Sequence, residues 1–332
     1  MTVQLGVVMD PPEKLKYKKD TTIAMLWEAA ARNWDIFYID MQNIFLQNGS
    51  VHAHVQRLDC HGQARSLPPK VLVGGDPAMT DEKNWYSIVE KKTVALRDLD
   101  VILIRKDPPF DLEYLHLVHF LEFVEREGVL IINRPSALRD ANEKIFASEF
   151  PQCTPDTLIT RNIAELKSFF KSHQDVVCKP LDAMGGESIF RLRFPDENAS
   201  VIFETLTAHE TRYIMVQRYI PEIKLGDKRI LMIHGKPVSH ALARIPAEGE
   251  LRGNLAAGGH GVAQPLSARD QWIAEQVGPT LVAKGIYFAG LDVIGDYLTE
   301  INITSPTCVR EIDAQTGSNI CQALFDVIES KL

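Results

Sequence analysis

Asp292, Glu300 and Asn302 interrupt the otherwise apolar run Phe288–Ile303 within FAGLDVIGDYLTEINITSPTCVR (288–310). Two β-favouring runs flank Gly295-Asp296, so the segment reads as a hairpin. Glu300 and Asn302 lie two apart on one strand and share a face. A three-residue loop over 295–297 would set Asp292 directly opposite Glu300. A two-residue turn without a bulge would put Asp292 on the other face and leave Glu300 and Asn302 alone. Three converging oxygen side chains are what a hard cation such as Mg²⁺ takes, with substrate phosphates and water completing the octahedron. The competing reading is an acidic solvent face on an edge hairpin, where Lys and Thr are the commoner residues.

The partners of such a cation lie upstream. Lys179 sits among apolar neighbours at the end of Asp175–Pro180 and precedes the loop Asp182-Ala-Met-Gly-Gly-Glu-Ser188. Strand, glycine loop and strand make a hairpin lid, matching neither GxxxxGK[ST] nor GxGxxG. Gly185 and Gly186 lack a Cβ, so backbone N–H groups there can approach phosphates closely. Lys144 offers a second amine from another element. Pro246–Pro265, PAEGELRGNLAAGGHGVAQP, is the longest unpatterned stretch and carries Arg252 at its middle; such stretches are often lids. Arg105-Lys106 end the buried run 100–106, where open α/β sheets bind ligands.

Composition narrows the class. The 332 residues suggest two or three domains, and 45% hydrophobic with 24% charged residues suits a soluble globular enzyme. A net charge of −8 argues against a nucleic-acid surface. No apolar run approaches a membrane span of ~20 residues, and the start MTVQLGVVMDPP has no basic, apolar export signal. Cys60, Cys153, Cys178, Cys308 and Cys321 are scattered without any CxxC, which fits a reducing cytosol better than a disulfide or zinc framework.

The elements that must carry these residues follow in order. Val3–Val8, a helix capped by Asp20 or Thr21, and Asp35–Asp40 predict a β–α–β unit and a parallel sheet. Asn48-Gly49 predicts a hairpin over 44–58, and 61–83 reads as loop. Strands at 100–106 and 129–133 bracket a helix over 112–127. Ser136 would cap the helix carrying Asn142, Glu143 and Lys144, and Asn162 would cap 163–172. Strands follow at 175–180, 189–193, 213–220, from 226 and at 241–245, with helices over 267–284 and 318–331. The chain divides as an N-terminal parallel α/β domain (1–125), a small lid subdomain (126–210) and a large α+β subdomain (211–332) holding the hairpin and the loop 246–265.

In this order the residues resemble the ATP-grasp superfamily, and within it the prokaryotic glutathione synthetase family, over essentially the whole chain. The resemblance is carried by VMDP (8–11), RKDPPFD (105–111), SALRDANEK (136–144), KPLDAMGGESIFR (179–191), GDKR (226–229), LARIP (242–246), RGNLAAGG (252–259), GLDVIGD (290–296) and TEINITSPTCVRE (299–311). The family usually has Gly where Ala183 stands and Arg where His260 stands. The resemblance implies a two-subdomain ATP-grasp fold after the N-terminal domain, with ATP as co-substrate. Lys144 and Lys179 would neutralise its phosphates under the N–H groups of Met184, Gly185 and Gly186. Gln217, Tyr219 and Ile220 would line the adenine, and Asp227 would take the ribose hydroxyls. Asp292, Glu300 and Asn302 would hold Mg²⁺ or Mn²⁺.

A carboxylate is a poor electrophile, so phosphorylation to an acyl phosphate precedes attack by an amine, behind a lid that excludes water. Arg229 and Arg252 would stabilise the transferring phosphoryl group, while Arg105 and Arg310 would hold substrate. In the family the acid is γ-glutamylcysteine and the amine glycine, and members are typically homo-oligomers; from charge and hydropathy, no nucleic-acid or membrane partner is expected. The alternatives are another ATP-grasp ligase, such as a D-alanine ligase, and an ATP-binding regulator without turnover.

Overall fold

The computed structural model describes residues 2–61, 85–183, 185–247, 253 and 259–332. Three sheets follow one another along the chain. The first holds β1 (Gln4–Val8), β2 (Asp35–Gln47), β3 (Ser50–Cys60), β4 (Tyr86–Ala95), β5 (Val101–Ile104) and β6 (Leu130–Ile132), in the order β4-β3-β2-β1-β5-β6. Strands β2, β1, β5 and β6 are parallel, as the β–α–β pattern requires, whereas β3 and β4 extend the sheet antiparallel. Asn48 and Gly49 turn β2 into β3 with positive φ at both positions, the conformation of a two-residue hairpin turn. Strand β4 went unread because its Glu-Lys-Lys centre has no alternating pattern. The loop expected over 61–83 lies outside the described residues except for His61.

Helix α1 (Thr21–Ala31) is capped by Asp20, whose side chain accepts from Thr22 N, and it buries Ile23, Leu26 and Trp27 against the sheet. Helix α2 (Leu112–Arg126) covers the other side. The helix expected from Ser136 is two pieces. Pro135 starts α3 (Pro135–Asp140), so Ser136 is not a cap, and Asn142 caps a separate α4 (Glu143–Phe146) through Lys144 N and Ile145 N.

The second sheet contains β7 (Thr157–Thr160), β8 (Asp175–Pro180), β9 (Phe190–Arg193) and β10 (Ile214–Arg218), in the antiparallel order β7-β10-β8-β9. Helices α5 (Ile163–His173), capped by Asn162, and α6 (Ala199–Leu206) bury Leu166, Phe170 and Phe203 on it.

The third sheet is built from β11 (Asp227–Ile233), β12 (Lys236–Pro237), β13 (His240–Ile245), β14 (His260–Pro265), β15 (Phe288–Ile294) and β16 (Tyr297–Asn302). Its order is β14-β13-β11-β15-β16, with β12 folded back on β11. Helix α7 (Ala268–Lys284) opens on a capping box between Ser267 and Asp270, and α8 (Val309–Thr316) and α9 (Ile320–Glu329) close the chain. Strand β6 lies past residue 125 but pairs in the first sheet, and β10 lies past residue 210 but pairs in the second. Among the described residues no helix is long and apolar enough to cross a membrane.

Candidate active site

The β15–β16 hairpin reaches the expected pairing by an unexpected route. Ile294 pairs with Tyr297, so the turn is the two residues Gly295-Asp296 rather than the three expected. Val293 pairs with Leu298, but Asp292 pairs with Glu300, which leaves Thr299 as one extra residue on β16. This β-bulge returns Asp292 and Glu300 to one face. Thr299 Oγ1 closes it by donating to Asp292 O at 3.1 Å.

The same face extends across the sheet. Gly290 pairs with Asn302, Asp292 with Arg229, and Asp227 with Arg244. Arg229 lies over Gly290, where a Cβ would fall 2.7 Å from Arg229 Cδ. The missing side chain therefore gives Arg229 its path to Asp292. Its Nε and Nη2 donate to Asp292 Oδ1 and Oδ2 at 2.6 and 3.0 Å. Arg244 Nη2 reaches Asp292 Oδ2 at 2.9 Å and Asp227 Oδ2 at 2.5 Å. Burial alone would push Asp292 up, but Arg229 and Arg244 hold it down at about 2. Burial does push Asp227 up, to about 6, with Arg244 pulling the other way. Asp227 Oδ1 is buried without a hydrogen-bond partner among the described residues, an acceptor left for a ligand hydroxyl.

The second sheet supplies the opposite wall. Lys179 Nζ donates to Gln217 Oε1 at 2.7 Å, and Gln217 Nε2 donates to Thr157 Oγ1 at 3.1 Å, so three neighbouring strands fix the amine. Burial lowers the Lys179 pKa, while Glu300 opposes the shift. Lys144 Nζ donates to Ala183 O at 2.6 Å and lies 3.2 Å from Glu300 Oε1. Gly185 and Gly186 both have positive φ, which is why the loop needs glycine there.

Between the walls is a cavity of about 200 Å³. Twelve of the expected residues line it: Lys144, Lys179, Gly185, Gly186, Gln217, Tyr219, Ile220, Asp227, Arg229, Asp292, Glu300 and Asn302. Met184 and Arg252 lie outside the described residues. Half of the expected loop 246–265 does too, and its end is strand β14 paired along β13, not loop.

Arg105 and Arg310 are not brought to this cavity. Arg105 is buried, donating to Thr22 Oγ1 at 3.2 Å and Pro306 O at 3.0 Å. Arg310 donates to Tyr17 O and packs over the Tyr17 and Trp27 rings. Both tie the first domain to the third sheet. Lys106, expected beside them in the cleft, pairs with Asp10 at 3.0 Å.

Two residues went unread. Arg244 is the lone charge inside the apolar strand HALARI, a signal that was available. Glu143 lines the cavity and sits beside Lys144, with nothing in its spacing to mark it.

This donor set fits a hard cation. Asn302 Nδ2 is committed to Gly290 O and Asp292 Oδ2 at 3.3 and 3.2 Å, so its oxygen is what it offers the cavity. Glu300 has Lys144 as its ion-pair partner, whereas both Asp292 oxygens are taken by arginines. Glu300 and Asn302 are thus the available ligands, and Asp292 stands beside them as the anchor of two guanidinium groups.

Two family models cover the chain: the prokaryotic glutathione synthetase N-terminal domain matches residues 3–139, and the prokaryotic glutathione synthetase ATP-grasp domain matches 143–317. The chain belongs to the prokaryotic glutathione synthetase family. Among its relatives in this family, the glutathione synthetase of Pseudomonas syringae pv. tomato is 54% identical over 332 residues, covering 100% of this chain and 98% of the relative. The glutathione synthetase of Escherichia coli K12 is 49% identical over 330 residues, covering 99% of each. The fold matches that of D-cycloserine synthetase DcsG with a TM-score of 0.64 at 13% identity, over 98% of this chain and 99% of that one. It also matches the ATP-grasp ligase PsnB, complexed with minimal precursor, Mg and ADP, with a TM-score of 0.60 at 14% identity, over 98% and 97%. The glutathione synthetase family chain described here is accordingly an ATP-grasp ligase, an enzyme class that uses ATP and a divalent metal.

Proposed function

We propose that this chain joins γ-glutamylcysteine to glycine at the expense of ATP, giving glutathione, ADP and phosphate through an acyl phosphate. Family membership over both domains supports the reaction. The observation that carries the chemistry is the cavity itself, where two lysines and a glycine loop face a sheet surface holding Asp227, Arg229, Arg244, Asp292, Glu300 and Asn302.

Lys144 and Lys179 would take the nucleotide phosphates, Lys144 exchanging Ala183 O and Glu300 for them. The N–H groups of the Gly185–Gly186 turn would cover the phosphates. The apolar slot of Val177, Ile189, Ile220 and Ile294 suits the base, and the orphan Asp227 Oδ1 suits a ribose hydroxyl. Glu300 and Asn302, with Asp292 beside them, would hold Mg²⁺ or Mn²⁺. Such an ion, when bound, neutralises phosphate charge and orients the γ-phosphoryl group.

Arg229 is clamped through Nε and Nη2, so Nη1 remains to stabilise the transferring phosphoryl group in a site where no reorganisation is needed. Arg252 would complete that role from the loop. The substrate roles expected of Arg105 and Arg310 are not part of this proposal, because both guanidinium groups serve the domain junction. The five cysteines are free and buried, which supports a reducing cytosol, and the family resemblance supports a homo-oligomer.

The test is phosphate release from ATP with acid and amine each omitted in turn. Dependence on both γ-glutamylcysteine and glycine is expected. Activity with D-alanine pairs in their place would favour another ATP-grasp ligase.

A further inference from the structure

The tripeptide Asn142-Glu143-Lys144 touches both walls of the cavity. Asn142 Nδ2 donates to Leu181 O at 3.2 Å, just before the glycine loop, and Lys144 Nζ to Ala183 O at 2.6 Å within it. Glu143 turns the other way. Its Oε1 accepts from Ile303 N at 2.8 Å, Thr304 N at 3.0 Å and Thr304 Oγ1 at 2.8 Å.

Two consecutive N–H groups aimed at one point make an anion-holding concavity, and here a carboxylate from another element fills it. The position matters because β16 ends at Asn302, so no ladder bond to a neighbouring strand continues past it to hold the next peptide planes. Ile303 and Thr304 are buried, and without Glu143 their N–H groups would be left unpaired away from water. The same segment runs on to Pro306, whose carbonyl takes Arg105.

We propose that Glu143 is a positioning residue for the ligase reaction: it fixes the chain leaving β16, and with it the oxygens of Glu300 and Asn302, while its neighbour Lys144 ties that floor to the glycine loop. This rests on the nucleotide and metal reading above. Glu143 acts through Ile303 and Thr304 and transfers no proton. It explains why a buried acid stands next to a phosphate-binding lysine, where a free carboxylate would repel the nucleotide. Three donors occupy the near oxygen instead.

The test compares Glu143→Ala with Glu143→Gln, which keeps an acceptor at the same reach. Amide hydrogen exchange is followed on the peptide 299–306 of the nucleotide-free protein. ADP affinity is measured by calorimetry with and without Mg²⁺, and kcat and KM are determined. The alanine variant should exchange at least tenfold faster over 299–306 with the rest of the third sheet unchanged. It should bind metal-free ADP within twofold of wild type, lose the gain in affinity that Mg²⁺ gives, and lose kcat by more than its KM rises. The glutamine variant should recover most of each.

Unchanged exchange over 299–306 in the alanine variant would overturn the proposal. A glutamine variant as impaired as alanine would also overturn it, since charge rather than an acceptor would then be needed. If alanine loosens the whole protein evenly and glutamine restores stability without restoring the Mg²⁺ gain, Glu143 is merely structural. Wild-type protein that binds no ADP would instead overturn the nucleotide reading, whatever the exchange shows.

Discussion

Asp292 faces Glu300 across the β15–β16 ladder because Thr299 is bulged out between them, its hydroxyl bonded to the Asp292 carbonyl. Deleting Thr299 removes the one residue without a ladder partner, so a regular two-residue hairpin keeps Asp292 opposite Glu300 and Gly290 opposite Asn302. Only the extra local twist of the bulge is lost. We expect a folded protein whose ligase activity stays within ~10-fold of wild type, because register and face are kept. Thr299→Ala should keep still more of it. Circular dichroism and turnover on the two variants check this, and an inactive but folded deletion variant would show that the twist of the bulge, beyond the pairing, aims Glu300 and Asn302.

Gly290 has a similar geometric role. Alanine there would place its Cβ 2.7 Å from Arg229 Cδ and 3.0 Å from Nε. Arg229 must then leave Asp292. Gly290→Ala should lower kcat by ~10²-fold or more, the scale of losing one oriented transition-state donor, with ADP affinity nearly unchanged. Steady-state kinetics beside calorimetry separates the two effects.

These two predictions mark where the sequence was legible and where it was not. Asp292, Glu300 and Asn302 stood out because oxygen side chains in an apolar strand need a reason, and Lys179 and the paired glycines stood out likewise. The bulge was not visible, since nothing in YLTEIN distinguishes an extra residue in the strand from one in the turn. The expected three-residue loop put the right residues opposite each other for the wrong reason. Arg105 and Arg310 lie away from the cavity, because an arginine just after a strand or a hairpin reads alike whether it meets substrate or a neighbouring domain's carbonyl. The parallel sheet was readable from periodicity, whereas β4 and the split between α3 and α4 were hidden by a charged strand centre and by Pro135.

Asp292 also carries stability. Removing its charge leaves the buried guanidinium groups of Arg229 and Arg244 poorly compensated. Breaking a buried ion pair from one side costs about 3–5 kcal/mol, so Asp292→Asn should lower the urea midpoint clearly. Asp292→Asn combined with Arg229→Met should recover part of the loss. No recovery in the double variant would show that the charge cluster does not store this energy.

Away from the cavity, burial raises the Asp313 carboxyl from 3.8 to about 6, against hydrogen bonds from Ser318 and Ile320 N. A carboxyl with a raised folded-state pKa binds more protons folded than unfolded. Its effect is therefore most favourable below about pH 4, and stability declines as pH rises through about 6. Asp313→Asn should flatten that part of the profile, making the variant gain on wild type by about 2–3 kcal/mol between pH 4 and pH 7. Urea unfolding at four pH values in that window is the check.

In the proposed reaction ATP activates a carboxylate as an acyl phosphate in the cavity between Lys144, Lys179 and the Asp292–Glu300–Asn302 hairpin. γ-Glutamylcysteine labelled with ¹⁸O in its cysteinyl carboxylate tests it directly. One labelled oxygen should appear in inorganic phosphate for each glutathione formed. Glutathione formed with unlabelled phosphate, or with AMP and pyrophosphate, would exclude an acyl phosphate made by transfer of the γ-phosphoryl group.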